Sequence, residues 1–277
     1  MLLEGVNVWI ITEDDEKLQE YATKQIGDTT IECSIPSTEG TNFKIQVGVP
    51  TDFRPGLGFK YQPRLDGIEY NGKVLPSAWR KNGRDSARML GVEIASSTVR
   101  AFHFGKRLLT DKEEDLSSHS NNLQDLNIVQ IRFQWGLDSE PRARTEYAVP
   151  KELGPIHEKA AKKGHAGSAG LGNTTIALPG HSTICQFIPA PEFEPLVFRF
   201  RYAPEDWLQA RGIIESSSSS SLKRGREDSA EVIDIDDLET DDDEIQIVKH
   251  LAPVPTTTVH KRQKVKSEGD TKPKPEP

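Results

Sequence analysis

The chain has 277 residues, carries 35 Lys and Arg against 43 Asp and Glu, and has a formal net charge of −8. Its two cysteines, Cys33 and Cys185, exclude a disulfide framework and a zinc knuckle. Met1-Leu2-Leu3 is followed at once by Glu4, which lacks the basic start and apolar run of a secretory signal or membrane span.

The four Trp, five Tyr and ten Phe all lie between Trp9 and Trp207. The chain beyond Trp207 is rich in Ser, Pro, Asp, Glu and Lys, and has too little apolar surface to offset its chain entropy. A folded unit over 1–213 and a disordered tail over 214–277 are therefore expected, in a soluble intracellular protein.

Strict alternation marks the strands of the folded unit. Val6 to Ile11 and Thr29 to Ile35 come first. Next is a segment whose inward set is Phe43, Ile45, Val47 and Val49. Leu90 to Ile94 and Val99 to Phe104 are further strands. In Ile128 to Trp135, Val129, Ile131, Phe133 and Trp135 share one face, while Gln130, Arg132 and Gln134 share the other. Leu196, Phe198, Phe200 and Tyr202 repeat the pattern near the end. Period two means a half-buried strand with one wet side, and the stretches "PSTEG", "RPGLG" and "YNGK" punctuate the strands as turns. About seven or eight short strands predict an all-β fold, an antiparallel β-sandwich or squashed barrel. One C-terminal helix closes it. In "APEDWLQARG", Pro204 suits the first turn, Glu205 and Asp206 favour the positive end of the helix dipole, and Gly212 ends the helix, with Trp207, Leu208 and Ile213 pinning it to the sheet. "PIHEKAAKKGH" (155–165) reads as a further, weaker helix. The polar stretch 108–125 and the basic, then glycine-rich 151–173 read as long loops.

The segments "VNVWIITEDDEKLQEY", "ECSIPSTEGTNFKIQV", "RLDGIEYNGKVLP", "FHFGKRLLTDKEED", "IVQIRFQWG" and "LVFRFRYAPEDWLQARGII", in this order, resemble a domain of unknown function widespread in basidiomycete fungi. The resemblance covers about residues 1–213. It implies a compact β-rich domain followed by a variable charged tail. It carries over no activity and no catalytic residue.

The folded unit offers little chemistry. Gly167, Gly170 and Gly172 are wrongly spaced for a dinucleotide loop, so "GHAGSAGLGN" reads as a surface loop rather than an anion cradle beside Lys159, Lys162 and Lys163. The seven histidines are scattered and no metal motif exists. Cys33 alternates with Ile31 and Ile35, as a core residue does, and Cys185 before "QFIP" is expected to pack too. Residues 1–211 hold 25 bases and 28 acids, which argues against nucleic acid. A local basic patch of Arg80, Lys81, Arg84 and Arg88 near Trp79 reads as an exposed loop. No cofactor, metal or catalytic residue is expected.

The tail is ordered in blocks. Lys261, Arg262 and Lys264 fit a nuclear import signal, and Lys223, Arg224 and Arg226 form a second basic cluster; an import receptor is the implied partner. Glu227 to Glu244 holds eleven acids and no base. Within and beside it lie two aliphatic clusters. Val232, Ile233 and Ile235 precede Asp236 and Asp237, while Ile245, Ile247 and Val248 come after Asp241 to Glu244. β-Branched residues favour extended backbone. Aliphatics flanked by acids resemble tandem SUMO-interacting motifs, which bind the ubiquitin-like modifier SUMO by adding a strand to its sheet edge. Thr240 before three aspartates reads as a site for an acid-directed kinase, and Lys266 in "VKSE" matches the SUMO acceptor pattern. The reading is a nuclear, non-enzymatic interaction protein, with the cytoplasm as the alternative location. A rival is an acidic-tailed chaperone of histones or other basic proteins. An enzyme built on the β domain is a third reading, and would require a pocket of clustered polar groups.

Overall fold

The computed structural model describes residues 1–111, 123–152, 154–158, 165–176 and 183–215. The first half supplies β1 (Leu2–Leu3), β2 (Val6–Thr12), β3 (Tyr21–Ile26), β4 (Thr30–Pro36), β5 (Thr41–Gly48), β6 (Gly58–Leu65), β7 (Ile68–Glu69) and β8 (Lys73–Leu75). A short helix, α1 (Ser77–Lys81), leads to β9 (Ser86–Met89), β10 (Gly91–Ala95), β11 (Thr98–Lys106) and β12 (Leu109–Thr110). Then come β13 (Ile128–Asp138), β14 (Arg142–Ala143), β15 (Ile156–His157), β16 (Gly167–Ile176), β17 (Thr183–Ile184), β18 (Phe187–Pro189), β19 (Leu196–Ala203) and α2 (Glu205–Ala210).

The fold is all-β, as the alternation predicts. One sheet runs β1-β2-β5-β11-β10, with β9 beside β5 and β16 beside β11. The other runs β3-β4-β19-β13-β6-β7, with β18 beside β13 and β8 beside β6. Their inward faces share one core: Val8, Ile10, Phe43, Ile45, Val47 and Phe102 from the first sheet meet Phe59, Ile131, Phe133 and Phe198 from the second. This is a β-sandwich. The central strand β13 buries Val129, Ile131, Phe133 and Trp135, and registers Ile131 between Phe198 of β19 and Pro63 of β6. Phe59, Phe133 and Trp135 pack as tilted and edge-on rings 4.9–6.0 Å apart, the geometry that ring quadrupoles favour.

Both sheets are antiparallel except at one place. β19 pairs with β4 in parallel, Phe198 opposite Ile31 and Phe200 opposite Cys33. Strands so far apart in sequence are not joined by a tight turn, so nothing forces them to run in opposite directions. Cys33 sits in the core, where burial pushes its thiol up to about 12. At the end of the domain, α2 follows Pro204 and stops at Gly212, whose φ of +65° suits glycine. Leu208 is buried with Ala203 and Ile214, and Trp207 and Ile213 pack beside them.

Three expectations are corrected. The glycine-rich 167–173 is not a loop: it forms most of β16, paired with β11 from Lys106↔Gly167 to Thr98↔Ile176. Glycine scores poorly as a strand former, but here it makes room. A Cβ on Gly172 would sit 2.9 Å from the Cβ of His103, and one on Gly167 would sit 2.7 Å from the His165 ring. The helix predicted over 155–165 does not start at Pro155: Ile156 and His157 form β15, which pairs in parallel with β12, Leu109 opposite Ile156, and Glu158 is helical, while residues 159–164, with Lys159, Lys162 and Lys163, lie outside the described residues.

The third correction concerns Arg80, expected in an exposed loop. It is fully buried. Its guanidinium donates to the carbonyls of Leu57 at 2.7 Å, Pro50 at 2.9 Å, Arg54 at 3.0 Å, and also Phe53. It lies 5.0 Å from the centroid of Trp135. Among the described residues no carboxylate balances it; four carbonyl dipoles and an aromatic face do. The five-residue α1 carries this anchor inward, and the anchor closes the loop 50–57. Arg80→Met keeps the bulk of the side chain and leaves those carbonyls unpaired, so it should cost about 3 kcal/mol, read as a lowered urea midpoint with an unchanged m-value.

Candidate functional site

Two places on the domain gather polar side chains. The larger is a groove of about 1030 Å³ lined from both sheets, by β6, β8 and β18 of one and β9 and β10 of the other, together with Trp79 of α1 and residues of the 144–148 and 183–185 segments. Five cations line it, Lys60, Lys73, Arg84, Arg88 and Arg144, against two acids, Glu93 and Glu146. Residues 1–211 as a whole carry more acids than bases, so the groove is a local reversal of sign.

Its cations differ in how far they are neutralised. Lys73 and Arg144 share Glu93 at 2.8 and 3.4 Å. Arg88 reaches Asp15 at 2.9 Å and Gln46 at 2.8 Å. Asp15 also holds Lys44, and that hydrogen bond, with the charge of Arg88, keeps its carboxyl below the usual carboxylate range. Arg84 lies 4.9 Å over the ring of Trp79 and donates to the Ser86 carbonyl at 3.3 Å, with no acid partner among the described residues. Lys60 likewise forms no ion pair among the described residues. Tyr61 closes the floor. Its ring is buried, burial pushes its hydroxyl above the ordinary range, and the charges acting on that hydroxyl are Arg84 and Glu93, both of the groove. No described residue hydrogen-bonds to it. Cys185, expected to pack, is half-buried in this wall, its thiol raised by burial.

The second gathering is internal. Asp66 and Gly67 form the two-residue turn between β6 and β7, both at positive φ, +45° and +83°, as a type I′ hairpin requires. The turn drives the Asp66 carboxylate into the sandwich, where it is fully buried. It accepts from the Tyr202 hydroxyl at 2.7 and 2.8 Å, the Asn127 backbone N–H at 2.8 Å, the Ala169 N–H at 3.2 Å and Arg107 Nη2 at 3.2 Å. Burial pushes the carboxyl upward, opposed by the Arg107 charge and these donors. Beside it the His165 ring bridges two strands: Gly167 N–H donates to Nδ1 at 3.0 Å, and Nε2 lies 2.6 Å from the Tyr202 carbonyl. That carbonyl accepts only, so Nε2 carries the proton and the ring is neutral. A cavity of about 360 Å³, lined by Tyr70, His103, Lys106, Arg107 and Ala169, opens next to the cluster.

Every oxygen of Asp66 is engaged, which makes the cluster a clasp rather than a proton relay. No three His, Cys, Asp or Glu among the described residues are grouped to hold a metal ion. Sequence reasoning missed both gatherings. The "DG" of "RLDGIEY" is a turn signal that the reading of the turns passed over, and it says nothing of the burial. Of the basic patch, Arg84 and Arg88 do line the groove with Trp79, whereas Arg80 does not. The residues expected to bind partners, Val232, Ile233, Ile235, Asp236, Asp237, Ile245, Ile247 and Val248, lie outside the described residues. So do Thr240, Lys266, and the basic clusters Lys223, Arg224, Arg226 and Lys261, Arg262, Lys264.

Fold and site together define a β-sandwich domain with a cationic groove between its sheets. The chain belongs to the family described as domain of unknown function DUF7918, whose model matches residues 5–217. No curated protein and no solved structure matches it.

Two variants test the clasp. Tyr202→Phe removes one donor and should cost about 1.5–3 kcal/mol, whereas Asp66→Ala strands Arg107 in the interior and should cost about 3–5 kcal/mol; both are read by denaturant unfolding. Burial lowers His165 below its usual range. The unfolded chain therefore binds a proton first as pH falls. Stability is complete above about pH 6.5 and declines below it, by at most about 1.4 kcal/mol per pH unit from this group. Thermal unfolding between about pH 7.5 and pH 5 should show this slope in the native protein and a shallower one in His165→Gln.

Proposed function

We propose that the protein is a nuclear, non-enzymatic interaction module whose C-terminal segment binds SUMO or SUMO-modified partners by strand addition. The observation that carries this reading is the paired pattern of the tail. Val232, Ile233 and Ile235 with Asp236 and Asp237, and Ile245, Ile247 and Val248 after Asp241 to Glu244, offer β-branched side chains for a hydrophobic groove and acids for its basic rim. Two linked weak sites bind a polymeric or multiply modified partner far better than either alone. Phosphate on Thr240 would add charge beside both, and Lys266 would serve as an acceptor for the same modifier. The basic clusters at 223–226 and 261–264 support import into the nucleus.

A second reading has its own observation. Eleven acids without a base in 227–244 suit a chaperone of histones or other basic proteins. The two readings divide on which side chains matter, because strand addition depends on aliphatic contacts and a charge sink on ionic strength. Titration of the ¹⁵N-labelled full chain with SUMO should shift amide signals within 232–248 only, and Ile233→Ala with Ile247→Ala should abolish the shifts. Unchanged signals at millimolar SUMO would discard the first reading. Histone binding that falls steeply with salt and with Asp241, Asp242 and Asp243 replaced by Asn would then carry the second.

A further inference from the structure

We infer that the cationic groove between the two sheets is a binding site for an extended acidic peptide that also carries apolar side chains. This rests on the groove alone and stands whether or not the tail binds SUMO.

The charge is specific in its arrangement. Glu93 already pairs with both Lys73 and Arg144, so it ties β8, β10 and the 144–148 segment together. Lys60 and Arg84 are left over, with Arg88 sharing an exposed Asp15. Arg84 sits over the Trp79 ring and donates to the Ser86 carbonyl, so its guanidinium is partly pre-oriented. A planar fork held in place matches a carboxylate better than a free side chain does, because less freedom is lost on pairing. Tyr61, whose ring is buried, also lines the groove, and Arg84 and Glu93 are the charges that act on its hydroxyl. In the open groove water can serve this hydroxyl, and a ligand oxygen or amide can take that place.

The rest of the lining decides the kind of anion. Val74, Leu75, Ala87, Ile184 and Phe187 line the same groove as the charged residues, and Ile184 is nearly half exposed. A lone phosphate would leave these groups wet, and the groove is far larger than one such ion needs. A chain that alternates acids with aliphatics covers both kinds of wall at once. Nucleic acid fits less well. The face of Trp79 that would stack a base is occupied by Arg84, and the acidic surface of the domain opposes a phosphate backbone outside the groove.

The test uses the full chain and a fluorescein-labelled peptide of about ten residues, alternating Glu and Val. Fluorescence anisotropy should show saturable binding that weakens with added salt. Arg84→Glu and Lys60→Glu should each weaken it about tenfold or more. Neither side chain has an ion pair to lose among the described residues, and the surface contacts of Arg84 with Trp79 and Ser86 are worth only about 1 kcal/mol, so both variants should stay folded and melt within a few degrees of the native protein. Tyr61→Phe, which keeps the ring, should weaken binding about fivefold, consistent with one lost hydrogen bond. Peptide affinity unchanged in both charge variants would overturn the proposal. So would tighter binding of a single-stranded oligonucleotide of equal charge, lost in Arg84→Glu, which would make the groove a nucleic-acid site.

Discussion

The sandwich depends on a carboxylate that has no access to water. A buried charge is tolerated only when every lone pair is used and an opposite charge stands nearby. Asp66 meets that condition by drawing donors from four places: the Tyr202 hydroxyl of β19, the Asn127 amide before β13, the Ala169 amide of β16 and the Arg107 guanidinium after β11. β19 and β13 belong to one sheet, β11 and β16 to the other. One side chain thus registers the two sheets against each other, and His165 ties β16 to β19 alongside it. Hydrophobic faces alone would allow the sheets to slide; a fully satisfied polar cluster specifies one alignment.

Arg80 plays the complementary part elsewhere in the sandwich. It is a buried cation answered by carbonyls rather than by an acid, and it holds the loop 50–57 closed over Trp135. Its helix places Trp79 at the wall of the groove. The shape of the groove is thereby fixed by structural residues, while Lys60 and Arg84 line it without an ion pair among the described residues. Charge is unevenly distributed along the whole chain, with a cationic cleft in a mildly acidic domain and a strongly acidic stretch at 227–244. Such segregation suits recognition of partners, because complementary fields act on encounter before any contact forms.

Much of the fold was legible in the chain and the site was not. In β13, Val129, Ile131, Phe133 and Trp135 alternate with polar residues, and all four are buried. β5 and β19 obey the same rule, and α2 announced itself through Pro204, its acids and Gly212. These signals are local: a strand with one dry face must repeat every second residue, and a short helix must satisfy its own ends. β16 escaped because its glycines answer to His103 and His165 rather than to strand propensity. Arg80 and Asp66 escaped because a charged residue in a loop or turn is exposed by default, and only partners distant in sequence make its burial tolerable.

By itself, then, the sequence determined the all-β class, the main strands and the closing helix. Each comes from periodicity or composition, which are properties of neighbouring residues. Only the tertiary structure decided that β19 runs parallel to β4, that Asp66 and Arg80 point inward, and that Lys60, Tyr61, Trp79, Arg84, Arg88 and Arg144 meet in one groove. Those facts depend on which strands become neighbours, and that choice is made by the packing of whole faces and the pairing of buried charges across segments far apart in the chain.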